Sequence, residues 1–260
     1  MIALKNVSKD YGEGNVIDNV SCTIEPGEFV CITGPSGAGK TTLLSLLVGA
    51  EDASSGSIMV DGADLRKVPA GGLRIFRRKL GIVFQDYKLL ANRTVAENIA
   101  FPLEVCGATD DVIEARTADL LKRMALKKRA DALPRELSGG EKARTAIARA
   151  IAHKPLILLA DEPTQNLDPD QMRDVLQTFR DINASGTTVI IATHDTALVD
   201  LLHTRVIQLE KGTVIRDSVG GYRSQQDKKI TEKPVPVASA PVNVEAERGR
   251  KIKITAIHSD

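Results

Sequence analysis

Short runs of consecutive apolar residues, bounded by glycine, proline and polar residues, recur along this chain. Residues 29–33 form one such run, and residues 156–160 and 187–192 form two others. Runs of this length without polar alternation are typical of strands that are buried on both faces. Helical patterns lie between these runs, over 140–152 and from Asp170. Because strands and helices alternate in this part of the chain, the sequence predicts parallel βαβ units and an α/β fold.

The pattern differs before and after that part. Residues 1–60 are rich in strand-like segments, whereas the stretch from Thr94 to about Arg129 has helical periodicity with capping-type starts. We therefore expect one domain over residues 1–222, with a helical subdomain at about 86–152.

The last part of the chain, residues 223–260, has a different composition. A polar, charged stretch leads into a proline-rich stretch at 234–241, which predicts an extended, flexible tail. Residues 251–257 regain β-like alternation. Two interpretations remain open for this stretch: a peptide that docks by strand addition, or a frayed terminus.

A phosphate-binding loop provides the most specific chemical signal. Residues 34–42 read Gly-Pro-Ser-Gly-Ala-Gly-Lys-Thr-Thr between a predicted strand and a predicted helix at 41–47. In such a motif, backbone N–H groups and the helix N-terminus face a phosphate chain, the lysine meets the β- and γ-phosphates, and the hydroxyl that follows ligates Mg²⁺. The expected nucleotide-binding residues are Gly34, Ser36, Gly37, Gly39, Lys40, Thr41 and Thr42. The alternative, a glycine-rich turn that binds nothing, is disfavoured by these flanking elements.

Two acidic residues follow a second buried strand. Asp161 and Glu162 come directly after the apolar run at 156–160, and ligands of parallel sheets bind at the carboxyl ends of the strands. We expect Asp161 to hold Mg²⁺ and Glu162 to position a water molecule against the γ-phosphate. Without the phosphate loop, the same pattern would predict only a solvated acidic turn.

Composition narrows the possible classes of protein. The 260 residues carry a formal net charge of +1, whereas a protein that binds nucleic acid through a broad basic face is usually more basic. The three cysteines form no C-x-x-C pair, and Cys22 and Cys31 lie in apolar runs, so we expect buried structural thiols. The absence of a signal peptide and of a long apolar run predicts a chain that works in the cytosol and does not itself span a bilayer.

Further motifs identify a family. Residues 137–141, Leu-Ser-Gly-Gly-Glu, resemble the signature of the ABC-type ATPases. In the order typical of that family, Tyr11 resembles the aromatic residue that stacks on adenine and Gln85 the glutamine of the Q-loop. Residues 166–168 resemble the D-loop, and His194 resembles the switch histidine.

This resemblance implies a P-loop NTPase core with an N-terminal antiparallel β-subdomain and an inserted helical subdomain. It implies that Ser138, Gly139 and Gly140 bind the nucleotide held by a second copy of the chain, so that a homodimer closes around ATP and opens after hydrolysis. Glu162 and His194 would then act at the γ-phosphate. Gln85 would contact the Mg²⁺ and report the presence of the nucleotide to a partner.

Within the ABC group, residues 83–98 and the wider stretch 1–220 resemble the FtsE family of bacterial cell-division ATPases. The resemblance implies an FtsX-like integral membrane partner, control of cell-wall hydrolases, contact with division-machinery proteins and a peripheral location on the cytoplasmic face of the membrane. An ATPase of a lipoprotein-release or macrolide-type exporter is the alternative. A soluble ABC ATPase acting on DNA or ribosomes and a nucleotide kinase fit the motifs less well.

The sequence departs from the family pattern at two positions and contains two basic stretches. Gln165 stands before Asn166, where related sequences usually carry glycine, and Lys142 stands where glutamine or arginine is common. The basic stretches at 74–79 and 122–129 are typical of solvated helix faces, with contact to anionic lipid as the alternative.

Overall fold

The structure, a computed structural model, describes residues 1–221. The predicted tail at 223–260, including its β-like stretch at 251–257, lies outside the described residues. In chain order the strands are β1 (Ile2–Asp10), β2 (Asn15–Ile24), β3 (Phe29–Thr33), β4 (Ser55–Val60), β5 (Ala63–Asp64), β6 (Leu80–Val83), β7 (Ile157–Asp161), β8 (Thr188–Thr193), β9 (Arg205–Glu210) and β10 (Thr213–Val219).

These strands form two sheets. A four-stranded sheet has the order β2-β1-β4-β5, and all of its neighbouring strands are antiparallel. A six-stranded sheet has the order β10-β9-β3-β8-β7-β6 and is parallel except for β10, which pairs with β9 in the antiparallel direction. The predicted α/β fold with an N-terminal antiparallel β-part is confirmed.

The central strands of the six-stranded sheet are covered on both faces, because every residue of β3, β7 and β8 is buried. Successive side chains enter different cores: Cys31 belongs to one hydrophobic cluster and Ile32 to the other. Register aligns Thr33 at the end of β3 with Thr193 at the end of β8, while Asp161 ends the neighbouring strand. The carboxyl ends of three strands therefore meet at one edge of the sheet.

The helices lie on both faces of the sheet and in the inserted segment. In chain order they are α1 (Lys40–Leu47), α2 (Ala70–Arg77), α3 (Val95–Cys106), α4 (Asp110–Arg123), α5 (Gly139–Ile151), α6 (Pro169–Ala184) and α7 (Thr196–Leu202). The capping start predicted at Thr94 is present: the Thr94 hydroxyl accepts a hydrogen bond from the Glu97 N–H, and the Glu97 carboxylate accepts one from the Thr94 N–H. Helices α3, α4 and α5 all fall within the predicted helical range of 86–152.

The basic stretch at 74–79 forms the end of α2 and the turn after it. Phe76 is buried, whereas Arg74, Arg77 and Arg78 are exposed, as expected for a solvated helix face. Lys79 lies beyond the helix, and its ammonium group is 2.7 Å from the Asp61 carboxylate. This stretch therefore combines one buried aromatic anchor with a strongly cationic outer surface.

A buried asparagine on α3 holds the segment between β6 and α3 in place. Asn98 is fully buried, and its Oδ1 accepts a hydrogen bond of 2.8 Å from the Leu90 N–H. Its Nδ2 donates to the carbonyl oxygens of Leu90, Arg93 and Thr94 at 3.2, 3.0 and 2.9 Å. Because this segment includes Gln85, the amide of Asn98 anchors the backbone that carries a predicted site residue.

We expect the Asn98→Ala substitution to lower the free energy of unfolding by about 1–3 kcal/mol, because it leaves buried backbone groups without hydrogen bonds. The measurement is urea unfolding followed by circular dichroism. Asn92→Ala is the control, since Asn92 is exposed in the same segment and should change stability by less than about 0.5 kcal/mol. Equal effects of the two substitutions would contradict an anchoring role for Asn98.

Candidate active site

The phosphate loop connects the end of β3 to the start of α1 and approaches neighbouring backbone closely at two glycines. Gly34 has φ +147°, and a Cβ there would lie 2.2 Å from the carbonyl oxygen of Leu209. Gly39 has φ +99°, and its Cβ would lie 2.7 Å from the carbonyl oxygen of Val16. Only glycine suits both the conformation and the space at these positions, so the loop geometry explains the motif's glycines.

Lys40 is the first residue of α1, and its side chain folds back over the loop. Its Nζ donates hydrogen bonds of 2.9 and 3.1 Å to the carbonyl oxygens of Gly34 and Pro35. It also lies 4.0 Å from Oε1 of Glu162, and the Lys40 side chain is only 8% exposed. A buried ammonium group is thus held between the phosphate loop and an acidic residue that directly follows β7.

Asp161 and Thr41 meet at the same edge of the sheet. The Thr41 hydroxyl donates a hydrogen bond of 2.8 Å to Oδ2 of Asp161, while Oδ1 of Asp161 is buried without a hydrogen-bond partner among the described residues. Burial raises the pKa of Asp161, the Glu162 charge raises it further, and the Thr41 hydroxyl and the Lys40 charge act in the opposite direction. A buried carboxylate oxygen without a partner, next to a hydroxyl, suits a hard cation such as Mg²⁺.

Glu162 is held by the end of β8. Its Oε2 accepts a hydrogen bond of 3.0 Å from the Thr193 hydroxyl, and its Oε1 accepts one of 3.0 Å from the His194 N–H. The His194 Nδ1 is 2.6 Å from the same Oε1. Glu162 also has φ +46°, a conformation that is unusual for a residue with a Cβ. The predicted acid and the predicted switch histidine are therefore directly paired.

A cavity of about 420 Å³ brings most of the predicted residues together. It is lined by Val16, Ser36, Gly37, Gly39, Lys40, Thr41, Thr42, Gln85, Glu162, Gln165 and His194. Gln85 reaches it from the end of β6, and its Nε2 donates a hydrogen bond of 2.7 Å to Oε1 of Gln165. Asp161 instead lines an adjoining cavity of about 730 Å³, which it shares with Thr41, Gln85 and Gln165.

The signature residues begin α5. The Ser138 hydroxyl accepts a hydrogen bond of 3.3 Å from the Glu141 N–H, and the Glu141 carboxylate accepts one of 2.9 Å from the Ser138 N–H. Gly139 lines the larger cavity, but Ser138 and Gly140 line neither. A Cβ on Gly140 would lie 2.8 Å from the Gln171 side chain, so α6 packs tightly here.

Comparisons with known proteins identify the family of this chain. Residues 17–165 match the family described as ABC transporter. The chain is 43% identical over 228 residues to the cell division ATP-binding protein FtsE of Bacillus subtilis, covering 87% of this chain and all of that protein. It is 44% identical over 223 residues to the same-named protein of Mycobacterium tuberculosis, covering 85% and 97%. The chain belongs to the ABC transporter family.

Among solved structures, the chain resembles a dimeric, post-hydrolysis structure of the ATP-binding cassette MJ0796 bound to ADP and Pi. The TM-score is 0.78 at 35% identity, and the match covers 84% of this chain and 98% of that one. The chain is therefore an ABC ATPase that binds and hydrolyses ATP, as its motifs predict.

Tyr11, the predicted adenine-stacking residue of this ABC ATPase, lies at the surface and lines neither cavity. Its hydroxyl donates a hydrogen bond to Glu51, and the Lys9 ammonium is 4.7 Å from its ring centroid. The hydrogen bond to Glu51 is the main reason that the pKa of Tyr11 is raised. Its role in adenine binding stays a prediction, as do the individual roles of the other site residues.

Sequence reasoning missed two contributors to the site. Thr193 donates to Glu162, and its position directly before His194 at the end of a buried strand was the available signal. The sequence marks Gln165 as a departure from the family pattern, but its hydrogen bond to Gln85 depends on β6 and β7 being neighbours, which the spacing along the chain does not show.

The described residues also limit how a cation can be held. Among residues 1–221, no group of three or more His, Cys, Asp or Glu residues is placed to bind a metal ion. An Mg²⁺ held by one or two protein oxygens typically completes its coordination with phosphate oxygens and water molecules. No helix in this part of the chain has the length and apolar content needed to cross a bilayer.

We expect the Asp161→Asn substitution to leave the unfolding temperature of the protein alone unchanged or higher. Because the pKa of Asp161 is raised in the folded state, its ionised form opposes folding at neutral pH. This opposition decreases as the pH falls below the raised pKa and is lost below the pKa of the unfolded chain. The same substitution should weaken binding of Mg²⁺ with ATP by at least the ~10–100-fold that loss of an outer-shell metal partner costs.

Thermal unfolding with and without Mg²⁺ and ATP measures both effects. The control is Asp111→Asn, because Asp111 is exposed on α4 and should leave the nucleotide-induced stabilisation intact. This assignment would be contradicted if Asp161→Asn strongly lowered the unfolding temperature of the protein alone while Mg²⁺ and ATP still raised that temperature by the normal amount.

Proposed function

We propose that this ABC ATPase drives an FtsX-like integral membrane partner in bacterial cell division and so regulates cell-wall hydrolysis. The similar proteins of B. subtilis and M. tuberculosis are named as cell-division ATP-binding proteins, and both are matched over nearly their whole length. The partner would hold the chain at the cytoplasmic face of the membrane. One observation supports coupling between ATP hydrolysis and the partner. Phe84 lines an apolar groove of about 610 Å³, and the next residue, Gln85, lines the 420 Å³ cavity.

The chemistry follows from the residues at the sheet edge. The loop N–H groups and Lys40 would bind the phosphates, and Thr41, Asp161 and Gln85 would hold Mg²⁺, which neutralises phosphate charge in such sites. Glu162 would orient a water molecule whose oxygen bonds to the γ-phosphorus as the bond to the ADP oxygen breaks. The proton of that water passes to Glu162 or to the released phosphate.

His194 would work through the same carboxylate. Its backbone N–H and its Nδ1 both contact Oε1 of Glu162, so the ring and the acid form one unit. When the Nδ1–H group of His194 donates a hydrogen bond to Glu162, the Nε2 atom on the other side of the ring is available for another contact. The His194 side chain is 56% exposed. His194 is therefore placed to hold Glu162 in position and to reach toward the γ-phosphate from the open side of the cavity.

We propose that a second copy of the chain completes the site. The first turn of α5 presents the N–H groups of Gly139 and Gly140, which have no partner within the helix because of their position. Such a helix start attracts a phosphate group, and the Ser138 hydroxyl can still donate a hydrogen bond while it caps the helix. The dimeric MJ0796 structures support this arrangement by similarity.

For this dimer, we expect Glu162→Gln to bind ATP, to hydrolyse it about 10²–10⁴-fold more slowly, and to accumulate as dimers. In that background, Ser138→Asp should keep the helix cap, because aspartate caps as well as serine, yet repel the phosphate of the facing subunit. Light scattering after chromatography with ATP measures the mass.

The control for this experiment is Ser138→Asn, which keeps the cap without adding charge and should retain more dimer than Ser138→Asp. Dimers that persist in the Ser138→Asp variant would refute the proposed contact, and wild-type hydrolysis by Glu162→Gln would refute the role of Glu162.

The groove beside the site supports the membrane partner. It has a volume of about 610 Å³ and lies between α2, the end of β6, α3 and α5. Its apolar lining residues are Leu80, Ile82, Phe84, Leu90, Phe101, Pro102, Val105 and Ala150. Its charged lining residues are Arg74, Arg77, Arg78, Lys88 and Arg149, and no Asp or Glu lines it.

This combination of an apolar floor and a cationic rim fits one kind of occupant. We propose an amphipathic cytoplasmic segment of the membrane subunit, with an apolar face and acidic residues beside it, since opposite charges guide and orient such contacts. A bound segment would touch Phe84 directly, and the next residue is Gln85. If nucleotide binding moved Gln85, the adjacent residue Phe84 would move with it and would shift against the bound partner.

We expect the double substitution Arg74→Glu and Arg78→Glu to abolish co-purification of the membrane subunit from detergent-solubilised membranes, because acidic residues of the partner would then meet like charges. ATP hydrolysis by the purified variant should be unchanged. Lys122→Glu with Lys128→Glu is the matched control, since both lysines are exposed outside the groove and their reversal should leave co-purification intact.

The identity of the co-purified subunit tests the cell-division role itself. A four-span protein with one large extracytoplasmic loop would support it, whereas the membrane subunit of an exporter would replace it. Retained co-purification in the arginine variant would reject the groove as the docking site.

A further inference from the structure

The loops that follow β6 and β7 are joined by a hydrogen bond between two glutamine side chains. Nε2 of Gln85 donates to Oε1 of Gln165 at 2.7 Å. Both residues, together with Thr41, line both the 420 Å³ cavity and the 730 Å³ cavity. The pair therefore lies in the wall that the two cavities share.

Gln165 is the better fixed of the two residues. It is half-buried, whereas Gln85 is exposed. Its N–H donates a hydrogen bond of 3.1 Å to the carbonyl oxygen of Glu162, and the next residue, Asn166, turns the chain with φ +64°. Gln165 is thus part of a tight turn that also carries the buried Glu162, and it can act as a fixed acceptor for the exposed Gln85 side chain.

The direction of this hydrogen bond determines what Gln85 can offer. A glutamine amide has one acceptor oxygen and one donor nitrogen, and only the oxygen can ligate a hard cation. With Nε2 committed to Gln165, the remaining polar atom of the Gln85 amide is its oxygen. An amide without this restraint would also present its N–H groups, which repel a cation.

We propose that Gln165 is a positioning residue for Gln85: by accepting the amide hydrogen bond, it orients the Gln85 oxygen toward the Mg²⁺ of the bound nucleotide. This inference rests on the proposed role of Gln85 as a ligand of that ion. Gln165 would thus act on the metal through Gln85 and not as a ligand of its own. The net strength of one such hydrogen bond corresponds to about a three- to tenfold change in an equilibrium, so the effect is a tuning of the Mg²⁺ requirement.

The experiment measures binding of the non-hydrolysable analogue AMP-PNP by calorimetry at a series of Mg²⁺ concentrations and in EDTA. Gln165→Met keeps the length of the side chain without its acceptor oxygen. It should raise the Mg²⁺ concentration needed for half-maximal binding about three- to tenfold, with unchanged binding in EDTA. Gln165→Ala is a second variant, and the thermal midpoint of each variant checks that it is folded.

The decisive comparison is a double-mutant cycle with Gln85→Ala. If Gln165 acts through Gln85, adding Gln165→Met to Gln85→Ala should raise the Mg²⁺ requirement no further. A normal Mg²⁺ requirement in Gln165→Met, an additive effect in the double variant, or a change of binding in EDTA equal to that in Mg²⁺ would overturn the inference.

A normal Mg²⁺ requirement in Gln85→Ala would remove the premise and the inference together. None of these results would change the conclusions on ATP hydrolysis, on dimerisation or on docking at the groove, because those rest on separate measurements. Failure of this inference is therefore distinguishable from failure of the proposed function.

Discussion

One buried lysine beside two buried carboxylates is the constraint on which the site depends. Lys40, Asp161 and Glu162 are each less than a tenth exposed, and burying ions is costly unless they are paired. The single ammonium lies 4.0 Å from Glu162 and cannot neutralise both acids. The fold tolerates this because the surrounding hydroxyl and N–H groups supply hydrogen bonds. The excess negative charge at Asp161 is what prepares the edge of the sheet for a cation.

That cluster exists because the strands are parallel and neighbouring. Asp161 ends β7, Thr193 ends the adjacent β8, and the phosphate loop follows β3 on the other side of β8. Each strand contributes its last residue or the loop that follows it to the same edge, as ligand sites in parallel sheets do. The hydrophobic cores on both faces keep the three strand ends in register, so packing far from the nucleotide determines the distances within the site.

Local patterns explain why much of this was predictable. The strand predicted at 29–33 has the same bounds in the structure, and the helix predicted from residue 140 begins at Gly139 because Ser138 caps it. Glycine and capping signals act over a few residues, and they can therefore be read directly from the chain. Helix α2 was harder to predict, because Gly71 and Gly72 lower its helix propensity and burial of Phe76 compensates for this only in the folded protein.

The contacts that tune the site are those that short-range signals do not reveal. Gln85 and Gln165 meet only because β6 and β7 pair, and His194 meets Glu162 only because β7 and β8 pair. The same pairings place Phe84 in the groove and Gln85 in the cavity. Asn98 fixes the middle of that segment through hydrogen bonds to the backbone of Leu90. Because Phe84 and Leu90 both line the cationic groove, the segment that carries Gln85 also forms part of the groove wall.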